Sequence, residues 1–170
     1  MESALLISIL AIVALLLLSA FFSGSETALT AASRARMYQL ERKGNMRAQL
    51  VRRLSVQKER LIGAILLGNN LVNILASTLA TSLLIGLFGP TGVVYATVAM
   101  TLLIVIFGEL LPKTYAIRHA DRAALAVAPA IRPIVRLLAP LTHVLQLTIG
   151  WTLKLVGLDP SARGSIVSST

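Results

Sequence analysis

Cysteine is missing from the chain, which excludes disulfides, thiolate metal centres and iron–sulfur chemistry. Histidine occurs only at His119 and His143, and two such distant residues do not recommend a zinc site. Charged residues make up 14%, well below the roughly one quarter of ordinary soluble domains. Acids are the scarcest: seven Asp and Glu face sixteen Lys and Arg, for a net charge of +9. A basic excess can mark a nucleic-acid binder. Here aromatics are only 5% and the basic residues alternate with long apolar runs. No nucleic-acid partner is expected, and the charge is read as membrane topology. No nucleophile–base pair stands out, so no enzymatic activity is expected.

What fills the chain instead is apolar: 56% hydrophobic residues and a mean hydropathy of +0.81. Its 170 residues suit one domain. Residues 4–22 form an apolar run of 19, close to the ~20 that cross a bilayer core. A cleaved signal peptide is the rival reading, but Met1, Glu2 and Ser3 supply no basic start. Residues 61–88 and 93–111 give two more spans, joined by the turn Gly89-Pro90-Thr91-Gly92. Nine Lys and Arg lie in residues 34–60 and seven in 113–163, with none in 1–33 or 61–112. The positive-inside rule then places the N-terminus outside, 34–60 inside, 89–92 outside and 113 onward inside.

The basic stretch 34–60 reads as two short amphipathic helices on the cytosolic side. Met37, Leu40, Leu50, Val51 and Leu54 recur at helical spacing, and Gly44-Asn45 is a stop between them. Residues 137–153 are borderline for a span. Pro129, Pro133 and Pro140 break their approach, and basic residues flank both ends (Arg132 and Arg136; Lys154 and Arg163). A bent helix at or dipping into the inner leaflet is expected, with a fourth span as the alternative. Residues 159–170 read as linker after a membrane domain over 1–158. The expected fold class is all-α integral membrane, with three transmembrane helices.

Polar groups interrupt the apolar segments at three places: Ser23-Gly24-Ser25-Glu26, Gly68-Asn69-Asn70 with Asn73 and Ser77 beyond, and Gly108-Glu109 with Pro112. Ser23 lies 11 residues from Arg34, Asn70 10 from Arg60, and Glu109 9 from Arg118. At ~1.5 Å per helical residue all three reach a similar depth near the middle of a ~30 Å core. Glu109 is the only acid between positions 60 and 120, and a carboxylate there is costly enough to signal function. Pro112 has no N–H, so the Gly108 carbonyl loses its α-helical donor. The candidate ligands are therefore Ser23, Asn70, the Gly108 carbonyl and Glu109. Ser25, Glu26, Asn69 and Asn73 are secondary, and Gly24 and Pro112 are expected to break their helices. An all-oxygen set suits Mg²⁺, Ca²⁺ or Na⁺ over zinc or copper. Plainer readings stand beside this one. Asn70, Asn73 and Ser77 could serve as interhelical glue, Gly24 and Gly68 as close-packing positions, and Glu109 as the partner of Lys113 one turn on.

The stretches Phe21-Phe22-Ser23-Gly24-Ser25-Glu26-Thr27-Ala28-Leu29, Gly68-Asn69-Asn70-Leu71-Val72-Asn73 and Phe107-Gly108-Glu109-Leu110-Leu111-Pro112-Lys113 together resemble the signature stretches of the CorC/CNNM transmembrane domain. The resemblance covers about residues 4–158. It implies a homodimer in the cell (inner) membrane, with a juxtamembrane belt helix over residues 123–158. It further implies Mg²⁺ export, with Na⁺ as the coupling ion. In that family the ion sits at mid-membrane on the serine, asparagine and glycine–glutamate motifs, here Ser23, Asn70, Gly108 and Glu109. Family members usually continue into cytosolic CBS and CorC-type domains, which these 170 residues do not contain. The alternative function is a membrane-embedded Mg²⁺ sensor or scaffold that binds without transporting; a Na⁺ or Ca²⁺ carrier is a third.

Overall fold

A computed structural model describes residues 2–155. All the elements in them are helical: α1 (Glu2–Ala31), α2 (Arg34–Arg42), α3 (Met46–Val56), α4 (Lys58–Phe88), a 3₁₀ turn (Gly89–Thr91), α5 (Gly92–Leu103), a π-helical segment (Ile104–Leu110), α6 (Leu111–Arg118) and α7 (Ala120–Leu155). The expected linker over 159–170 lies outside the described residues.

Three stretches are long and apolar enough to cross a membrane: Leu5–Ala31, Lys58–Arg118 and Ala120–Val144. The second is a hairpin. Gly89, at φ +66°, occupies the left-handed region at the turn. A Cβ on Gly92 would sit 2.3 Å from the Leu84 carbonyl oxygen. Only glycine lets α5 begin against the last turns of α4, and the two helices then pack side by side. The chain is a multi-pass membrane protein. Its outward faces carry exposed Leu6, Leu10, Leu17, Ile74, Val94, Val98 and Leu102, as lipid-facing helices do.

The short helices are set by local chemistry. Ser33 caps α2, its Oγ accepting from the Arg36 N–H at 3.4 Å, and Asn45 caps α3 through Oδ1 to the Arg47 and Ala48 N–H groups at 3.0 and 3.2 Å. Gly44 turns the chain between them at φ +83°. Met37, Ala48, Val51 and Leu54 point inward and join Phe22, Leu29, Leu61 and Ile65 in one core. A second, smaller core joins Ala76, Ala80 and Met100. Small residues at that seam let the helices approach closely.

α7 corrects the expectation that its prolines interrupt it. One helix runs from Ala120 to Leu155 with Pro129, Pro133 and Pro140 inside. Their spacing of four and seven places them on one exposed face. The carbonyls that lose a donor, four residues earlier, fall on that same exposed side, and the helix continues past them. Arg122, Arg132 and Arg136 share this exposed face, while Ala124, Ala128, Ile131 and Val135 are buried opposite.

The start of α7 is tied to the α1–α2 corner by Asp121. Its Oδ1 accepts from the Ser33 N–H at 2.8 Å, and its Oδ2 lies 3.4 Å from Arg36 Nη1. Asp121→Ala is expected to cost about 1–2 kcal/mol, mostly from the lost backbone acceptor. Asp121→Asn keeps an oxygen for Ser33 and should lose less than half of that. Thermal unfolding in detergent micelles reads the difference; equal losses would mean the ion pair dominates.

Candidate functional site

α1 brings its serines to the middle of the bundle. Ser19 and Ser23 are one turn apart on one face, and Ser19, Ser23 and Ser25 are all fully buried. Thr27 Oγ1 donates to the Ser23 carbonyl at 3.2 Å. The Ser23 and Ser25 hydroxyls have no hydrogen-bond partner in the protein. Leaving one such group unpaired costs about 1–3 kcal/mol, so this stretch retains polar capacity that its own fold does not use.

α4 meets α1 through Asn69 and Gly68. Ser19 Oγ donates to Asn69 Oδ1 at 3.0 Å. A Cβ on Gly68 would fall 2.8 Å from Phe22 Cζ, so the close-packing reading of Gly68 describes its contact. Asn73 lies one turn beyond Asn69, and its Oδ1 is also buried without a partner. Asn70 is exposed. A step of one residue turns a helix by about 100°, which carries Asn70 off the face that Asn69 and Asn73 share. Ser77 is half-buried, and its carbonyl accepts from Thr81 Oγ1 at 2.8 Å.

The third arm is the π segment. A Cβ on Gly108 would lie 2.9 Å from Ser19 Oγ, so α1, α4 and the π segment meet at one serine. The Leu111 N–H bonds the Ile106 carbonyl, five residues back. The Phe107 carbonyl thereby loses its α-helical donor, and Pro112 supplies none to Gly108. Glu109 follows directly and is half-buried. Among the described residues the ion pairs are Arg36–Asp121 and Arg52–Glu41; Glu109 does not pair with Lys113. No group of three or more acidic, histidine or cysteine side chains gathers among the described residues. Any cation here would rest on one carboxylate, hydroxyls, amides and peptide oxygens.

Two expectations need correction. Gly24 does not break α1, which continues to Ala31; glycine weakens a helix interior by only about 1 kcal/mol. Its role is contact, since a Cβ there would lie 3.4 Å from Pro112 Cβ. Pro112 does not break its helix either. It occupies the first turn of α6, where a missing N–H is tolerated, and the disturbance is taken up by the π turn before it. Glu26 is half-buried and shares the Ser19–Ser23 face at seven residues from Ser19.

Ser19 lies inside the apolar stretch 4–22, which conceals it in the sequence. Its signal was the four-residue step to Ser23. The same step links Asn69 to Asn73 and favours that pair over Asn70.

A multi-pass helical membrane protein with buried, unpartnered oxygens where three helices meet is the class these observations define. The chain belongs to the CNNM family: it matches the Cyclin M transmembrane N-terminal domain over residues 10–170. It is 36% identical over 151 residues to the UPF0053 inner membrane protein YfjD of Escherichia coli, covering 88% of this chain and 35% of that one. A UPF0053 protein of Haemophilus influenzae is 34% identical over 154 residues, covering 91% and 37%. UPF0053 protein YhdT of Bacillus subtilis is 34% identical over 170 residues, covering 92% and 37%. The chain thus spans little more than a third of the length of these relatives.

Proposed function

We propose that this domain carries Mg²⁺ across the membrane through the junction of α1, α4 and the π segment. The observation that supports this most is the unpartnered Ser23 hydroxyl, buried on the face of Ser19 that meets Asn69 and Gly108. Glu109 adds the one formal charge. Mg²⁺ sheds water reluctantly and demands oxygen ligands, and a set with one carboxylate among neutral oxygens favours release as well as capture. The set we assign is Ser19, Ser23, Asn69, Glu109 and the Gly108 carbonyl. Asn73, Ser25 and Glu26 are secondary. Asn70, exposed on α4, is better suited to a subunit contact in a homodimer, because an amide facing lipid is costly.

The direction, export driven by Na⁺ entry, is proposed on the family resemblance, as are the homodimer and the cytosolic CBS domains of longer members. We place the N-terminus outside and α2–α3 inside from the partition of Lys and Arg. α7 then lies along the inner leaflet as a belt, because its exposed Arg122, Arg132 and Arg136 would otherwise cross hydrocarbon.

Proteoliposomes enclosing a Mg²⁺-sensitive dye test the transport reading. The wild-type protein should move Mg²⁺ at a rate that Ser23→Ala lowers by roughly tenfold, the scale of one ligand worth about 1.4 kcal/mol. A protein that is stabilised by Mg²⁺ in micelles yet moves none in vesicles would be a sensor or scaffold, and the proposal would fail. Faster movement of Ca²⁺ than Mg²⁺ would reassign the cargo.

A further inference from the structure

We infer that the α2–α3 hairpin holds a phosphate-bearing lipid headgroup in a cavity at the membrane boundary. The cavity, about 550 Å³, has Arg34, Tyr38, Arg52 and Ser55 among its lining residues. Its floor is apolar, with Met37 and Val51 both buried. That volume falls within the roughly 300–1,000 Å³ of small-molecule sites.

The electrostatics favour an anion. Nine Lys and Arg crowd residues 34–60, against Glu41 and Glu59 alone. The guanidiniums of Arg42 and Arg52 lie 5.5 and 5.1 Å from the centre of the Tyr38 ring, which holds both charges beside the cavity. Glu41 pairs with Arg52 and offsets one of them. Arg34 has no carboxylate partner among the described residues. A phosphodiester would be met by the Arg34 fork, the outer edge of Arg52 and the Ser55 hydroxyl, which together give it charge-assisted hydrogen bonds.

Position favours a lipid over a soluble phosphate. The lining includes Ala32, directly after α1, and Val56, two residues before α4. Both helices are long and apolar enough to span, so the cavity sits where hydrocarbon gives way to water. Val56 is 83% exposed at its rim, a surface for the glycerol and upper acyl carbons. An anionic phospholipid presents its phosphate at that level, joined to apolar chain on one side. The inference uses only the membrane placement of these helices and is independent of which ion the domain moves.

The whole chain, purified in neutral detergent and titrated with phosphatidylglycerol or phosphatidylcholine, tests it by native mass spectrometry. Wild type should retain one phosphatidylglycerol in preference to phosphatidylcholine. Ser55→Phe fills the cavity without changing charge and should weaken retention by roughly tenfold, the scale of lost charge-assisted bonds. Arg34→Gln should do the same, whereas Arg60→Gln, equal in charge but outside the cavity lining, should leave retention nearly intact. Thermal unfolding of each variant without lipid checks that the hairpin is folded, and Arg34, exposed, provides the arm least able to disturb it. Equal losses for Arg34→Gln and Arg60→Gln with none for Ser55→Phe would show diffuse charge attraction and overturn the site. Inorganic phosphate stabilising the protein where phosphatidylglycerol does not would overturn the lipid assignment.

Discussion

Glu109→Gln protein should assemble normally, bind Mg²⁺ at least about a hundredfold more weakly, and show no measurable Mg²⁺ movement in proteoliposomes. Glutamine keeps the shape and one oxygen of glutamate but removes the charge. The other members of the proposed set are neutral: two hydroxyls, an amide and a peptide carbonyl. They cannot offset the dehydration of a small divalent ion without the carboxylate. The side chain makes no ion pair with Lys113 or another cation among the described residues, so the fold should lose little when it is neutralised. In micelles without Mg²⁺ the two proteins should therefore unfold within about 0.5 kcal/mol of each other. Adding Mg²⁺ at a hundred times its dissociation constant should stabilise wild type by about 2.7 kcal/mol and the variant hardly at all. Wild-type flux from Glu109→Gln would remove the central ligand from the proposal.

Gly108→Ala should impair transport nearly as severely by a different route. The added Cβ would meet Ser19 Oγ at 2.9 Å, closer than such contacts form. Either Ser19 turns away from Asn69 or the π segment moves off α1. Overpacking of this kind costs about 1–3 kcal/mol. The first response dissolves the only hydrogen bond described between α1 and α4 in this region, and the second withdraws the carbonyl and Glu109 from the serines. Mg²⁺ movement should fall by an order of magnitude or more, roughly the rate equivalent of that cost. Gly68→Ala is the matched control. Its Cβ would press on the Phe22 ring at 2.8 Å, so it should destabilise the core without reaching the oxygens directly. A Gly108→Ala protein that keeps full flux, while Gly68→Ala loses it, would show that helix packing and not the serine contact is what transport requires.

The two experiments probe different levels of the design. In the proposed set Glu109 would supply charge, and Gly108 proximity. The π turn links them. It directs the Leu111 N–H to Ile106 and so leaves the peptide oxygens of Phe107 and Gly108 without their ordinary donors, just ahead of the carboxylate. π turns inside α-helices recur at functional sites. The proline reveals the disturbance in the sequence, but its form, an inserted π turn rather than a gap, is seen only in the structure.

Much of the helix order was legible from one-dimensional properties. The apolar run in 4–22, the turn at 89–92 and the stop at Gly44-Asn45 all follow from composition and local chemistry. The length of α1 was underestimated, because Ser23, Gly24 and Ser25 look like an ending when they are in fact a buried polar patch within the helix. Pro129, Pro133 and Pro140 suggest interruption, yet their spacing confines the lost hydrogen bonds to one exposed side of α7.

By itself the sequence determined that this is a helical membrane protein, that its Lys and Arg gather in two segments separated by apolar runs, and that Glu109 is the only acid between positions 60 and 120. Those properties depend on run length and charge partition, which do not require knowing what faces what. The tertiary structure alone decided that Ser19 joins the polar centre, that Asn69 and not Asn70 faces it, and that Gly24 and Gly108 serve as points of close approach. Adjacent helix positions differ by about 100° in direction, so the choice between neighbouring residues is made only when helices pack and one face is buried against another.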